Sequence, residues 1–252
     1  GDGKMINLDI IELASESALI FKAQNKFLTK DLIGQRFLIS AGPTVEDIDA
    51  ARQLTNRSSG LMGVLMSHAA KFRGAQVDLV HGPVTLQKEL LEGLNTYPVR
   101  TTTQMQTAIN NLHPAANVII MAAAISDFKK ASPSHQKIPK NILIKSLLED
   151  IEITPDIIKN LSSKKLQGQI FLGFAAETGT DKEIKDKGEQ KRISKGCDFL
   201  MANPIDRKNQ GFAENFNSGF LLGPNKMIKN ILLSSKLSIS HQLLDEIQSH
   251  KS

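Results

Sequence analysis

Between residues 36 and 203, short apolar runs alternate with stretches whose apolar residues recur at helical spacing. Phe37-Leu38-Ile39, 77–80, 97–100, 118–123, 170–174 and 199–201 read as strands, and 118–123 lacks the in-and-out alternation of a half-exposed sheet. Between them, Met62, Leu65, Met66 and Ala69 mark a helix from about 60 to 72, with Ser58 or Ser59 as its N-cap. Thr102 or Thr103 caps a second helix over 104–112. Thr154-Pro155-Asp156 opens a third, with Thr154 as cap and Pro155 at the first helical position. A charged helix covers 181–195. Strand–helix alternation of this kind builds a parallel sheet, because each parallel pair needs a crossover. The expected fold class is therefore α/β: a Rossmann-like, doubly wound, mostly parallel sheet with a C-terminal β-hairpin and helix. The hairpin joins 220–222 to 228–233 through Pro224-Asn225, and Ser234 or Ser235 precedes the last helix. Residues 45–57 and 125–140 read as loops and 142–148 as a strand. The expected division is a leader over 1–34, with a helix over 6–21, and one domain over 35–252.

Composition excludes several classes. With 40% hydrophobic residues and a net charge of +5, the chain is not disordered. Its apolar run over 118–125 is far short of the about 18–20 residues that span a bilayer, so no membrane role is expected. The lone Cys197 excludes an internal disulfide and a cysteine-rich zinc site, and it suits the reducing cytoplasm. The lysines are scattered, so anionic small molecules account for the basic surplus and no nucleic-acid partner is expected.

In an open parallel sheet, ligands bind beyond the carboxyl ends of the strands. Four segments there carry chemistry. Ala41-Gly42-Pro43-Thr44, with Asn56-Arg57-Ser58-Ser59-Gly60 at a helix start, offers free N–H groups, hydroxyls and a dipole to a phosphate or carboxylate. It also reads plainly as a turn with capping serines. Met121-Ala122-Ala123-Ala124 brings bare backbone within reach of a ligand. Asp127 beyond it suits a ribose hydroxyl, a metal, or a helix cap. Lys129-Lys130 and Lys137-Ile138-Pro139-Lys140 suit a loop folding over polyphosphate, or a solvated loop. Gly173-Phe174-Ala175-Ala176-Glu177-Thr178 is a further strand end, followed by Lys191 and Lys195 on one helix face. The six histidines show no metal-ligand spacing. Neither Gly-x-Gly-x-x-Gly nor a Walker loop occurs, and Tyr97 has no lysine four residues on. These absences count against the rival reading of an NAD(P)-dependent oxidoreductase. A non-catalytic nucleotide-binding module is the other alternative.

Taken in order, Ile39-Ser40-Ala41-Gly42-Pro43-Thr44, Asn56-Arg57-Ser58-Ser59-Gly60, Ala122-Ala123-Ala124-x-x-Asp127-Phe128, Lys137-Ile138-x-Lys140, Thr154-Pro155-Asp156-Ile157, Gly173-Phe174-Ala175-Ala176-Glu177-Thr178 and Lys191-x-x-x-Lys195 resemble the phosphopantothenoylcysteine synthetase family. Each motif alone is weak, and the ordered set is specific. The resemblance implies a ligase of coenzyme A biosynthesis that joins 4'-phosphopantothenate to cysteine. It implies CTP as co-substrate, an acyl-cytidylate intermediate, Mg²⁺, and a homodimer whose lysine loop closes the site. Asn56, with Arg52, would contact phosphopantothenate and the intermediate, and Ser58, Ser59, Gly60 and Ala124 would line that pocket. Met121, Ala122 and Ala123 would lie against the nucleotide. Asp127 would hold ribose or metal, and Lys137 would act on the phosphates and on breakdown of the intermediate. Pro155, Asp156, Ile157, Ile158 and Phe174 would frame the nucleotide, with Lys191 and Lys195 adding charge. Pro139 departs from the pattern, since a third lysine is usual there. Bacterial members are usually fused behind a flavin-dependent decarboxylase, and residues 1–5 resemble the tail of one. A decarboxylase domain or subunit is thus an expected partner, and no FMN is expected in this chain.

Overall fold

A computed structural model of the chain describes residues 6–208, 211 and 214–251. Residues 1–5, with their likeness to a decarboxylase tail, lie outside the described residues. In chain order the elements are α1 (Leu8–Ala23), β1 (Arg36–Ala41), β2 (Val45–Asp49), β3 (Arg52–Thr55), α2 (Leu61–Phe72), β4 (Gln76–His81), β5 (Asn95–Pro98), α3 (Thr102–Leu112), β6 (Val118–Met121), β7 (Phe128–Lys130), α4 (Lys140–Glu149), β8 (Ile151–Ile153), α5 (Ile157–Ser162), β9 (Ile170–Glu177), α6 (Asp181–Ser194), β10 (Phe199–Pro204), β11 (Phe216–Leu222), β12 (Ile228–Ser235) and α7 (Lys236–Lys251).

One sheet of eight strands runs β12-β11-β10-β9-β6-β1-β4-β5. The pairs from β10 to β5 are parallel, and β11 and β12 are antiparallel additions. Winding goes outward from β1 to β4 and β5, then returns to the other side of β1 for β6, β9 and β10. The direction reverses between β1 and β6, and a ligand crevice is expected outside that point. Alternate strand residues serve opposite faces, which explains the continuous apolar runs. Phe37, Ile39, Ile120 and Leu172 pack under Val64, Met66 and Ala69 of α2 and Leu243, Leu244 and Ile247 of α7. Leu38, Ile119 and Phe171 meet Met105 and Ile109 of α3 and Leu161 of α5. Further along that second face, Ala175 and Leu200 pack on Ile184 of α6. The α/β expectation, with its closing hairpin and helix, matches this architecture.

Several local expectations are corrected. Residues 45–57 form the β2–β3 hairpin, not a loop. Their charges look like solvated loop residues, yet Glu46 and Asp49 are buried acceptors. Glu46 Oε1 takes the Thr102 N–H at 2.6 Å, and Asp49 Oδ1 takes the Ala51 N–H at 2.8 Å. Residues 142–148 lie in a helix, α4, although Ile142 and Ile144 alternate like a strand. Pro139 O instead accepts from the Ile142 and Leu143 N–H groups, both at 3.1 Å, and starts the helix. Within the expected loop over 125–140, β7 pairs with β8 as a two-stranded ribbon. The expected strand over 97–100 begins and ends two residues earlier, as β5.

The caps also shift. Gly60, not a serine, caps α2 with φ +84°, and the Ser58 and Ser59 hydroxyls accept from the Gly60 and Leu61 N–H groups at 3.3 and 3.4 Å. Thr101 caps α3 in a reciprocal box with Gln104. Asp156 caps α5, because the Thr154 hydroxyl is committed elsewhere, donating to Ser126 O.

Candidate active site

Small residues and short hydrogen bonds weld the carboxyl ends of β1 and β6 into one rim. The Ala123 N–H donates to Ser40 Oγ at 3.1 Å, and the Ala124 N–H donates to Gly42 O at 2.9 Å. The Thr44 N–H returns a bond to Ala124 O at 3.2 Å, and the Ser126 N–H meets Thr44 Oγ1 at 2.9 Å. This rim sits at the point where the winding reverses, and it presents the backbone of 121–125 without side-chain bulk. Asn56 leaves the β2–β3 hairpin beside it, and its Nδ2 donates to Ile125 O at 2.7 Å. The asparagine is thereby fixed across the crevice, with its carbonyl oxygen not spent on that bond.

Beyond the rim lies a cavity of about 770 Å³, within the roughly 300–1,000 Å³ usual for small-molecule sites. Of the expected site residues it is lined by Asn56, Ser58, Ser59, Gly60, Met121, Ala122, Ala123, Ala124, Asp127, Pro155, Asp156, Ile157, Ile158, Phe174, Lys191 and Lys195. Its charged walls are cationic on balance: Arg57, Lys191, Lys195 and Lys236 against Asp127 and Asp156. Lys191 Nζ pairs with Glu177 Oε1 at 2.6 Å, and Lys195 Nζ lies 3.5 Å from Asp156 Oδ2. Lys191 comes from the last turn of α6 and Lys195 is its C-cap, spaced so that they share one face. Among the described residues, no three His, Cys, Asp or Glu side chains gather as a metal site.

Two expected residues stand apart from this cavity. Arg52 and Lys137 belong to an arm made of the β2–β3 hairpin, the β7–β8 ribbon and α4. Arg52 Nη1 donates to Asp49 Oδ2 at 2.7 Å and to Ile138 O at 3.1 Å. Asp49 Oδ2 also accepts the Ile138 N–H at 3.0 Å. Burial alone would raise the Asp49 carboxyl pKa, but backbone donors from Ala51 and Ile138 and the Arg52 charge hold it below its ordinary value. The lysine loop is therefore pinned at Ile138, while Lys137 itself is exposed.

Sequence reasoning missed Lys236, Asn203 and Asn217, which also line the cavity. Asn203 had a signal, since it ends a strand at the carboxyl edge. Asn217 and Lys236 belong to antiparallel or following elements, outside the βα rule. Cys197 carries no chemistry: burial pushes its thiol up to about 12.

The chain is 34% identical over 217 residues to the coenzyme A biosynthesis bifunctional protein CoaBC of Bacillus subtilis, covering 86% of this chain and 52% of that protein. The corresponding Escherichia coli protein is 33% identical over 248 residues, covering 98% of this chain and 58% of the relative. The chain thus spans about half the length of these curated relatives. Among solved structures, the C-terminal domain of a CoaBC protein superposes with a TM-score of 0.72 at 27% identity, covering 88% of this chain and 98% of that domain. Residues 32–250 match the family described as the DNA/pantothenate metabolism flavoprotein C-terminal domain, and the chain belongs to that family.

Proposed function

We propose that this domain is the phosphopantothenate–cysteine ligase of coenzyme A biosynthesis, consuming CTP through an acyl-cytidylate. The observation that carries the reading is the convergence of Asn56, Asp127, Lys191 and Lys195 on one cationic cavity beside the winding reversal. A carboxylate does not acylate an amine until one of its oxygens becomes a good leaving group. In this reading the acid's carboxylate oxygen attacks the α-phosphorus of CTP, and pyrophosphate leaves. The amine of cysteine then displaces CMP to form the amide.

The chain's part is to hold two anionic reactants together against their repulsion. Backbone at Met121, Ala122 and Ala123 lies against the nucleotide, framed by Pro155 to Ile158 and Phe174. Lys191 and Lys195 neutralise its phosphates. The fixed Asn56 amide orients the acid and its activated form, with Ser58, Ser59, Gly60 and Ala124 around it. Mg²⁺ usually keeps several waters and takes only one or two carboxylates beside substrate phosphates. The exposed Asp127 carboxylate fits that habit and would hold such an ion, which would neutralise charge on the leaving pyrophosphate.

The reading includes a homodimer. Lys137 and Arg52 lie on the arm, away from their own cavity, and α4 buries none of its residues. Ile144, Leu148 and Ile153 there are 71, 79 and 81% exposed. A second copy covering this surface would bring each arm against its neighbour's cavity. The reading also places the protein in the cytoplasm, with a decarboxylase domain or subunit as partner and no FMN in this chain. Among the described residues, no helix is long and apolar enough to cross a membrane.

Pyrophosphate release from each of the four nucleoside triphosphates, with and without cysteine, tests the reading. CTP with phosphopantothenate should release pyrophosphate without cysteine, and amide should appear only with it. Lys137→Ala should slow amide formation more than pyrophosphate release, and Asn56→Asp should impair both. Unchanged rates in both variants would remove these roles.

A further inference from the structure

The segment that carries Lys137 lies along the tip of the β2–β3 hairpin and is tied to it at both ends. The Ser134 N–H donates to Ile48 O at 3.1 Å. Further along, both backbone groups of Ile138 are engaged. Its N–H donates to Asp49 Oδ2 at 3.0 Å, and its carbonyl accepts from Arg52 Nη1 at 3.1 Å. Asp49 and Arg52 are themselves paired at 2.7 Å, so one ion pair grips one residue from two sides. Ile138 is buried, while His135, Gln136 and Lys137 between the ties are exposed. The segment is an arch on two footings. Inside it, Ser134 Oγ accepts the Gln136 N–H at 3.1 Å and donates to Gln136 O at 2.7 Å.

Pro139 stiffens the second footing. A proline fixes its own φ and confines the residue before it to extended backbone. Here it has φ −56° and caps α4. A lysine in its place would bring charge without that restraint. The grip itself depends on Asp49, which is buried. Its Oδ1 accepts the Ala51 N–H, and its Oδ2 accepts from Arg52 and from Ile138. An ionised carboxylate only accepts, so it can serve all three donors. An amide has one accepting oxygen and can serve only one side of this set.

We infer that Asp49 is the positioning residue for Lys137: through Ile138 it fixes where the ammonium stands before any ligand arrives, and so sets the rate of the step in which Lys137 acts. This rests on the ligase reading, which gives Lys137 a part in breakdown of the acyl-nucleotide. Lys137 does not line the cavity of its own chain, so in the dimer of that reading the arch presents it to the neighbour's cavity. A free loop would have to lose its backbone freedom at every turnover. A held one meets the reacting group already in place.

The test compares the full chain as wild type, Asp49→Asn, Lys137→Ala and the double variant, with two readouts. Trypsin without substrate reads the hold on Ile138, because the bond after Lys137 is cut only when Ile138 leaves its footing. Asp49→Asn should speed nicking there by about 10-fold, the weight of a hydrogen bond to a charged group, and leave nicking elsewhere within about twofold. Pyrophosphate release and amide formation, measured separately, read the chemistry. Asp49→Asn should slow amide formation about 10-fold, keep pyrophosphate release within about twofold, and add nothing once Lys137 is alanine. Either nicking or amide formation unchanged overturns the inference. So does a loss that adds in full to that of Lys137→Ala, which would make Asp49 a support of the fold at large. Should Asp49→Asn fail to fold, Ser134→Ala removes only the bonds inside the arch. It should move both readouts the same way by about 2–10-fold, and either one unchanged overturns the inference. Wild type that releases no pyrophosphate from any of the four triphosphates overturns the ligase reading alone, since the nicking contrast still judges the hold on Ile138.

Discussion

His241 shows what a buried polar side chain costs when it is left alone. It is 1% exposed, and neither ring nitrogen has a hydrogen-bond partner among the described residues. Its ring meets Phe21 edge-on, with centroids 5.1 Å apart. Burial pushes its pKa down to about 4, helped by Arg73 and opposed by Asp31. The folded state therefore binds fewer protons than the unfolded chain between about pH 4 and 6.5. Stability is fully present above pH 6.5 and falls as the pH drops toward 4. At pH 5 the loss from this residue is about 2 kcal/mol relative to pH 8. His241→Leu should remove that part of the acid sensitivity, while Asp31, whose carboxyl Arg73 holds below its ordinary value despite burial, adds a loss only below about pH 4. Urea midpoints at pH 8 and pH 5 measure this, and identical pH dependence in the two proteins would refute it. No sequence pattern announces such a residue. His241 was legible as part of a helix, not as buried, because burial depends on α1 folding back over α7.

Elements were legible where one physical rule decides them. The parallel strands follow from doubly covered apolar runs, α2 from amphipathic spacing and α6 from its charged run. The failures came where tertiary partners reassign a side chain. Glu46 and Asp49 turn a polar stretch into a buried hairpin, and Thr154 gives its hydroxyl to Ser126 and leaves the cap to Asp156. The rim and the cavity wall over Pro155 to Ile158 were readable because the carboxyl-end rule limits the search. Lys236 was not, because it comes from a helix that follows an antiparallel hairpin. One close approach fixes the α2 start over the rim. At Gly63 an added Cβ would lie 2.6 Å from Ala41 Cβ and 2.7 Å from Ser40 O. Gly63→Ala gains about 1 kcal/mol of helix propensity but forces α2 off β1, at about 1–3 kcal/mol. The net change should be a loss of stability with weaker phosphopantothenate binding, since Ser40 also positions Ala123. A raised melting temperature with unchanged binding would show that the helix relaxes freely.

For the molecule entire, the arm is the part whose shape its own chain does not explain. Lys130 is buried against Asp150 in an ion pair, and Asp49 ties Arg52 to Ile138, so the arm is internally held. Its outer apolar side is nonetheless open. In the proposed dimer that side is covered, and Ile144→Glu combined with Leu148→Glu should convert dimer to monomer in sedimentation equilibrium. Activity should fall while the near-native far-UV circular dichroism remains. A variant that stays dimeric would place the interface elsewhere, and a wild type that is monomeric would end the dimer proposal.

The position of α7 has a further effect on how the molecule comes into being. Its first turn is a wall of the cavity, yet it is made after every strand. A nascent chain emerging from the ribosome can assemble the parallel sheet and the β1–β6 rim early, and still lack the wall to which Lys236 belongs. A chain that stops short of residue 236 would have the sheet but not that wall of the cavity.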